Sequence, residues 1–238
     1  NNITQESVIR NQLEIDEGDF YNEILKNKSV NNIKNLNFFR NVKSEIVNGD
    51  KLDSKIINIT VSEKPTGEIS AGAGVGTSGG TVTFGIKENN YLGRGVGLST
   101  NVTIEQDSVK GALTLSNPNF RNLNKSVFGS IQADENDQLA NFGYKSSKTG
   151  FTLGTRFEYL EDLILGLSSS SFYEEIETSS AASALQKKQA GNYWDTFLKV
   201  DFDYDKRNQK FRTSDGFRSI YKIDLPLISE TNTLTNSY

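Results

Sequence analysis

Trp194-Asp195-Thr196-Phe197-Leu198-Lys199-Val200-Asp201-Phe202-Asp203-Tyr204-Asp205 is the stretch that decides the fold. Trp194, Thr196, Leu198, Val200, Phe202 and Tyr204 alternate with Asp195, Lys199, Asp201, Asp203 and Asp205. A strand, whose side chains repeat every second residue, then has one apolar face and one charged face. Soluble sandwiches and membrane barrels both alternate in this way. Asp201, Asp203 and Asp205 share the charged face, and with apolar neighbours behind them a water-filled lumen wall accounts for them better than a calcium site.

The same alternation runs outward from this stretch in both directions. Ile69, Ala71, Ala73 and Val75 alternate with Glu68, Ser70, Gly72, Gly74 and Gly76; Val82, Phe84 and Ile86 with Thr83, Gly85 and Lys87. Leu98, Val102 and Ile104, then Leu113 and Leu115, then Phe151, Leu153, Phe157 and Tyr159 continue it. About nine such strands are expected, each near the roughly 9–11 residues that cross a bilayer at a tilt. Tight links such as Tyr91-Leu92-Gly93-Arg94-Gly95 and Asn119-Phe120-Arg121-Asn122 alternate with looser ones at Gln106-Asp107-Ser108 and from Glu174 to Asn192. Ser168 to Ser183 reads as loop or the polar end of a strand. Tyr91, Phe120 and Tyr159 near strand ends suit an aromatic girdle. A polar face that stays polar through every strand favours a membrane barrel over a sandwich, and closure removes unpaired edges.

Residues 1–66 follow another period. Val8, Ile9 and Leu13 lie on one helical face behind Thr4, a candidate cap; Leu25, Ile33 and Leu36 form a second stripe over about residues 22–36. Phe38-Phe39, Val42 and Ile46, the turn Asn48-Gly49-Asp50, and Ile57, Ile59 and Val61 then make a hairpin. The expected division is a small α+β module over 1–66, short of its first strand, and antiparallel transmembrane barrel strands over 67–238.

Composition excludes several chemistries. Of 238 residues none is Cys or His, which removes thiolate nucleophiles, Cys/His zinc sites and His-based acid–base catalysis, and no enzymatic activity is expected. A net charge of -4 offers no broad basic surface for nucleic acid. The run Gly72 to Gly80 lacks the Lys-Ser/Thr of a phosphate-binding loop. No cofactor or metal is expected. The absence of Met, including at position 1, suggests an internal piece of a longer chain.

Several short motifs, in their order and spacing, resemble the BamA family of outer-membrane protein assembly factors. Val8-Ile9-Arg10, Glu17-Gly18-Asp19-Phe20-Tyr21, Asn35-Leu36-Asn37-Phe38-Phe39-Arg40-Asn41-Val42 and Val61-Ser62-Glu63-Lys64-Pro65-Thr66-Gly67 are similar to that family's last polypeptide-transport-associated (POTRA) repeat and its junction with the barrel. Gly72-Ala73-Gly74-Val75-Gly76, Asn90-Tyr91-Leu92-Gly93-Arg94-Gly95, Asn117-Pro118-Asn119-Phe120 and Arg212-Thr213-Ser214-Asp215-Gly216 are similar to its early barrel strands and turns. The family has further repeats upstream and a barrel of roughly 16 strands, whereas this chain reaches Tyr238 near the start of a tenth.

The resemblance implies an outer-membrane insertase with its N-terminal module in the periplasm. Its partners would be the outer-membrane bilayer, unfolded β-barrel clients and periplasmic lipoprotein subunits of an assembly complex. Client strands would pair with the first barrel strand, Glu68, Ile69, Ser70, Ala71, Gly72, Ala73, Gly74, Val75 and Gly76. Arg10 and Glu17 would belong to a surface that meets a partner lipoprotein; without the resemblance, Glu17 is an ordinary solvated turn residue. The alternatives are a POTRA-bearing two-partner secretion transporter and a passive porin or structural barrel.

Overall fold

The computed structural model describes residues 3–49, 54–76, 79–122, 125–209, 213–229 and 235–237. Asp50 of the expected hairpin turn, Thr77 and Ser78 of the glycine-rich run, Arg212 and Tyr238 lie outside them. The chain divides into two compact units: Asn1–Glu68 with Glu88–Gly97, and Ile69–Lys87 with Leu98–Tyr238.

The first unit opens on helix α1, Glu6–Arg10, and helix α2, Glu23–Asn35. Thr4 does not cap α1. Gln5 occupies the cap position without a side-chain bond, and the Thr4 hydroxyl accepts from Asn90 instead. Asn22 caps α2: its Oδ1 accepts from the amides of Ile24 at 2.9 Å and Leu25 at 3.3 Å, satisfying donors that a first turn leaves free. Ser29 Oγ donates to Leu25 O at 2.9 Å and accepts from Glu14 N at 2.8 Å, tying the inter-helix loop to α2.

Strands β1, Phe39–Asn48, and β2, Lys55–Glu63, pair antiparallel with Val42 opposite Val61 and Ile46 opposite Ile57. Val8, Val30, Ile33, Phe38, Phe39 and Val42 form the core, with Ile9, Leu13, Leu36, Ile59 and Val61 packed against it. The helical stripes and the alternating hairpin therefore meet where their periods direct them.

The second sheet is a ten-stranded meander. Its strands are β3 Gly67–Gly76, β4 Gly79–Tyr91, β5 Val96–Glu105, β6 Ser108–Asn117, β7 Lys125–Gln138, β8 Tyr144–Leu160, β9 Leu163–Thr178, β10 Gly191–Asp205, β11 Arg218–Ile228 and β12 Thr235–Ser237. Each neighbours the next in sequence, with β3 and β12 at the edges. The sheet is not closed, as in an incomplete barrel, and the short β12 is the tenth strand against about nine expected. Short helices α3, Leu139–Phe142, and α4, Ala184–Lys188, lie in the connections after β7 and β9.

Two sequence expectations are refined here. Of the two readings of Ser168 to Ser183, strand holds for its first part: Ser168, Ser169, Ser170 and Ser171 sit inside β9, where Ser170 pairs with Thr152 at 2.9 Å and Ser171 with Thr196 at 2.8 Å. The stretch from Glu174 to Asn192 is partly strand, since β9 runs to Thr178 and β10 begins at Gly191.

Register assigns the faces. Leu198 stands opposite Ser169 and Leu225, and Val200 opposite Leu167 and Ile223; Leu153 stands opposite Ser169 and Gly129, and Ile131 opposite Phe151 and Leu113, on the same apolar side. Trp194 and Tyr173 pair at 6.2 Å toward one end of this face, and Tyr204 meets Phe217 at 5.7 Å toward the other. Ten residues at about 3.3 Å each, tilted by about 40°, span about 25 Å, the height of a barrel's apolar band. Tyr91, Phe120 and Tyr159 are exposed near strand ends, as a girdle requires.

The opposite face is less uniformly polar than its sequence pattern suggests. Phe128 shares it with Gly154, and Phe172 with Gly150. A side chain at either glycine would collide with the facing ring, so the aromatics fill space that glycine leaves along the wall.

Candidate functional site

The proposed pairing strand, β3, has every residue from Gly67 to Gly76 exposed. Ser70 Oγ donates to Gly85 O and Thr83 Oγ1 to Gly72 O, both at a long 3.5 Å. A Cβ added at Gly74 or Gly76 would meet nothing within 4 Å. Glu68, Ser70, Gly72, Gly74 and Gly76 alternate with Ile69, Ala71, Ala73 and Val75, and Val75 is 94% exposed. With so few atoms beyond Cβ, the strand is held chiefly by its backbone bonds.

The foot of the first hairpin is built differently. The Thr66 hydroxyl donates to Glu88, and Thr66 O accepts from Asn89 N at 3.3 Å and Asn89 Nδ2 at 3.1 Å. Asn90 Nδ2 donates to Thr4 Oγ1 at 2.8 Å, and Gln5 N donates to Gly93 O at 2.8 Å. Glu63 accepts from the amides of Ile3 at 2.9 Å and Thr4 at 2.6 Å. The Ile3 amide is the main reason that the Glu63 carboxyl titrates below its usual range.

Leu92, Gly93 and Gly95 all have positive φ in this turn, and a Cβ at Gly93 would overlap the Ile3 carbonyl. Glycine is required there by both backbone and space.

Arg10 and Glu17 are brought together. Arg10 Nη1 donates to Glu17 at 2.9 Å and its Nε to Glu6 at 2.6 Å, on an exposed surface of the first unit. Water screens such pairs, so this one contributes little to stability. Its Glu17 carboxylate is free on most sides to meet another charge.

On the polar wall, Asp203 is only 4% exposed. It accepts from Arg156 at 2.6 Å and, bidentate, from Arg218 at 2.8 Å through both oxygens. Asp205 likewise takes Arg207 in two bonds of 2.7 Å. These two carboxylates are committed to guanidinium groups. Farther along the wall, Lys110, Asp134, Lys148 and Glu174 line a polar cavity of about 340 Å³.

Comparison with known proteins bears directly on this arrangement. The Omp85 superfamily domain matches residues 90–236, and the POTRA family, described as a surface antigen variable number repeat, matches residues 1–64. This chain belongs to the Omp85 superfamily. It is 28% identical over 202 residues to the outer membrane protein assembly factor BamA of Neorickettsia risticii, covering 80% of this chain and 26% of that protein. BamA of Neisseria meningitidis serogroup B is 26% identical over 125 residues, 50% of this chain and 15% of its own. The chain thus spans about a quarter or less of these curated relatives.

Among solved structures, BamA from Haemophilus ducreyi lacking POTRA domains 1–3 superposes with a TM-score of 0.78 at 20% identity, over 95% of this chain and 46% of that one. CdiB from Escherichia coli gives 0.57 at 14% identity, covering 95% and 44%. The likeness shows that the chain shares their fold.

In this Omp85 chain, sequence reasoning named β3 and the Arg10–Glu17 pair but missed the foot. Asn90 and Gly93 were read only as turn residues, and Glu63 only as part of a junction motif. The usable signal was the pair of glycines flanking Arg94 behind an asparagine, a turn too constrained for an ordinary solvent loop.

Proposed function

We propose that this chain is part of a non-enzymatic outer-membrane insertase, in which β3 templates the terminal strand of an incoming β-barrel client. The composition of β3 carries the reading: glycine and alanine along both faces give little side-chain hold on any neighbour, while the backbone donors and acceptors remain. In a bilayer an unpaired amide or carbonyl costs several kcal/mol, so an edge that opens there strongly favours a new strand. Pairing by main-chain bonds also tolerates many client sequences. The names of the BamA relatives support the same role.

The N-terminal module then lies in the periplasm, with Arg10 and Glu17 facing a lipoprotein subunit of an assembly complex. Neither a cofactor nor a metal is needed, because strand exchange forms hydrogen bonds and breaks no covalent ones.

A cysteine lock tests this. In the complete protein, Ser70→Cys together with a cysteine on the closing strand should form a disulfide that seals the seam and stops client insertion, with activity returning on reduction. Insertion at the normal rate by the locked barrel would refute templating. Client passage through a locked barrel would support a secretion transporter, and solute conductance without insertion a porin.

A further inference from the structure

Asn90 is only 4% exposed and uses all its polar groups. Its amide donates to Glu88 at 2.7 Å and its carbonyl accepts from Gly93 N at 2.9 Å. Its side-chain Oδ1 accepts from Gly95 N at 2.7 Å, while Nδ2 donates to Thr4 Oγ1 at 2.8 Å, across 86 residues of sequence. Three segments distant in the chain, residues 3–5, 63–66 and 88–95, thus meet at one hydrogen-bonded node inside a single compact unit.

The composition of β3 gives this node a purpose. Register in a sheet is set by side chains that fit one pairing and not another, and a glycine-rich strand slips easily. A two-residue slip of β3 would keep Gly72, Gly74 and Gly76 on the same face and cost little packing. The position of its edge must therefore be fixed elsewhere. The foot supplies that restraint, through Thr66 on Glu88 and Asn89 and through Asn90 on Thr4.

We infer that Asn90 is a positioning residue for strand templating, clamping the β4–β5 turn onto residues 3–5 and so fixing the register in which β3 offers its edge. This rests on the templating role proposed above. Asn90 touches no client; it acts through the foot of β4 and the pairing of β4 with β3.

The test uses the complete protein in lipid, with Ser70→Cys combined with single cysteines scanned along the closing strand. The parent should cross-link predominantly at one position. Asn90→Ala should spread the cross-links to positions two residues away and expose the Gly95 amide, which loses its Oδ1 partner, to hydrogen exchange. Client insertion should fall about fivefold, the factor corresponding to one lost hydrogen bond.

Thr4→Val removes the hydroxyl that accepts from Asn90 and also bonds Glu63, while Asn90 itself is kept, and should act in the same direction; it decides the matter if Asn90→Ala fails to fold. An unchanged cross-linking pattern in a folded variant would overturn the clamp, whatever happens to insertion. A broadened pattern with insertion at the parent rate would leave the clamp standing and refute templating instead.

Discussion

The wall formed by β8, β9, β10 and β11 and the edge strand β3 belong to one sheet but are held by different means. Across the wall, side chains staple strand to strand: Thr152 to Ser170, Ser171 to Thr196, Tyr173 against Trp194, and Arg156 and Arg218 on Asp203. Along β3 the side-chain bonds to its neighbour are two contacts of 3.5 Å. The lesson is that one sheet can be densely stapled by side chains in its middle and sparsely at an edge strand through composition alone. A uniformly stapled barrel would have no preferred place to open.

The largest effect should come from breaking the wall's apolar face. Leu198 lies between the Trp194 and Tyr204 ends of the band, so Leu198→Arg should cost about 2–4 kcal/mol, whereas Lys199→Arg on the polar face should be nearly neutral. Urea unfolding of the complete barrel in lipid vesicles measures both, and equal costs would reverse the assignment of faces.

Removing the staple at Asp203 should come next. Asp203→Ala leaves Arg156 and Arg218 without their shared carboxylate, but both reach solvent, so about 1–3 kcal/mol is expected rather than the full penalty of a stranded buried charge. The same unfolding experiment reads it.

The seam should give the smallest change in stability. Gly74→Val places a side chain in open space and should shift unfolding by no more than about 0.5 kcal/mol. It should nonetheless slow client insertion, because a stiffer, bulkier strand accepts a neighbour less readily. A stability loss matching that of Asp203→Ala would show that β3 is packed as tightly as the wall.

Most of the fold was legible because the strands alternate strictly. The stretch from Trp194 to Asp205 yields its own facing, and the change from helical to alternating period separates the two kinds of architecture. The serines of β9 were not legible: Ser168 to Ser171 resembles loop composition, and only the partners Thr152 and Thr196, far away in sequence, make it strand. Phe128 and Phe172 escaped for a similar reason, since a ring on the polar face is explained only by the glycine opposite. The candidate site divides the same way. That β3 is a strand is a property of consecutive residues, and its pairing role is what the family resemblance implies, whereas the foot joins Thr4, Glu63, Thr66 and Asn90 across the chain, and no local pattern announces such a meeting.

Gly93 carries a consequence for descent. A Cβ added there would overlap the Ile3 carbonyl, so any mutation must first displace the segment leading into α1. Arg94 beside it is exposed and under no such restraint. Glycine at this position should therefore be inherited together with the module: lineages that retain the α+β unit should keep it, and lineages that shed that unit should be where other residues first become tolerated.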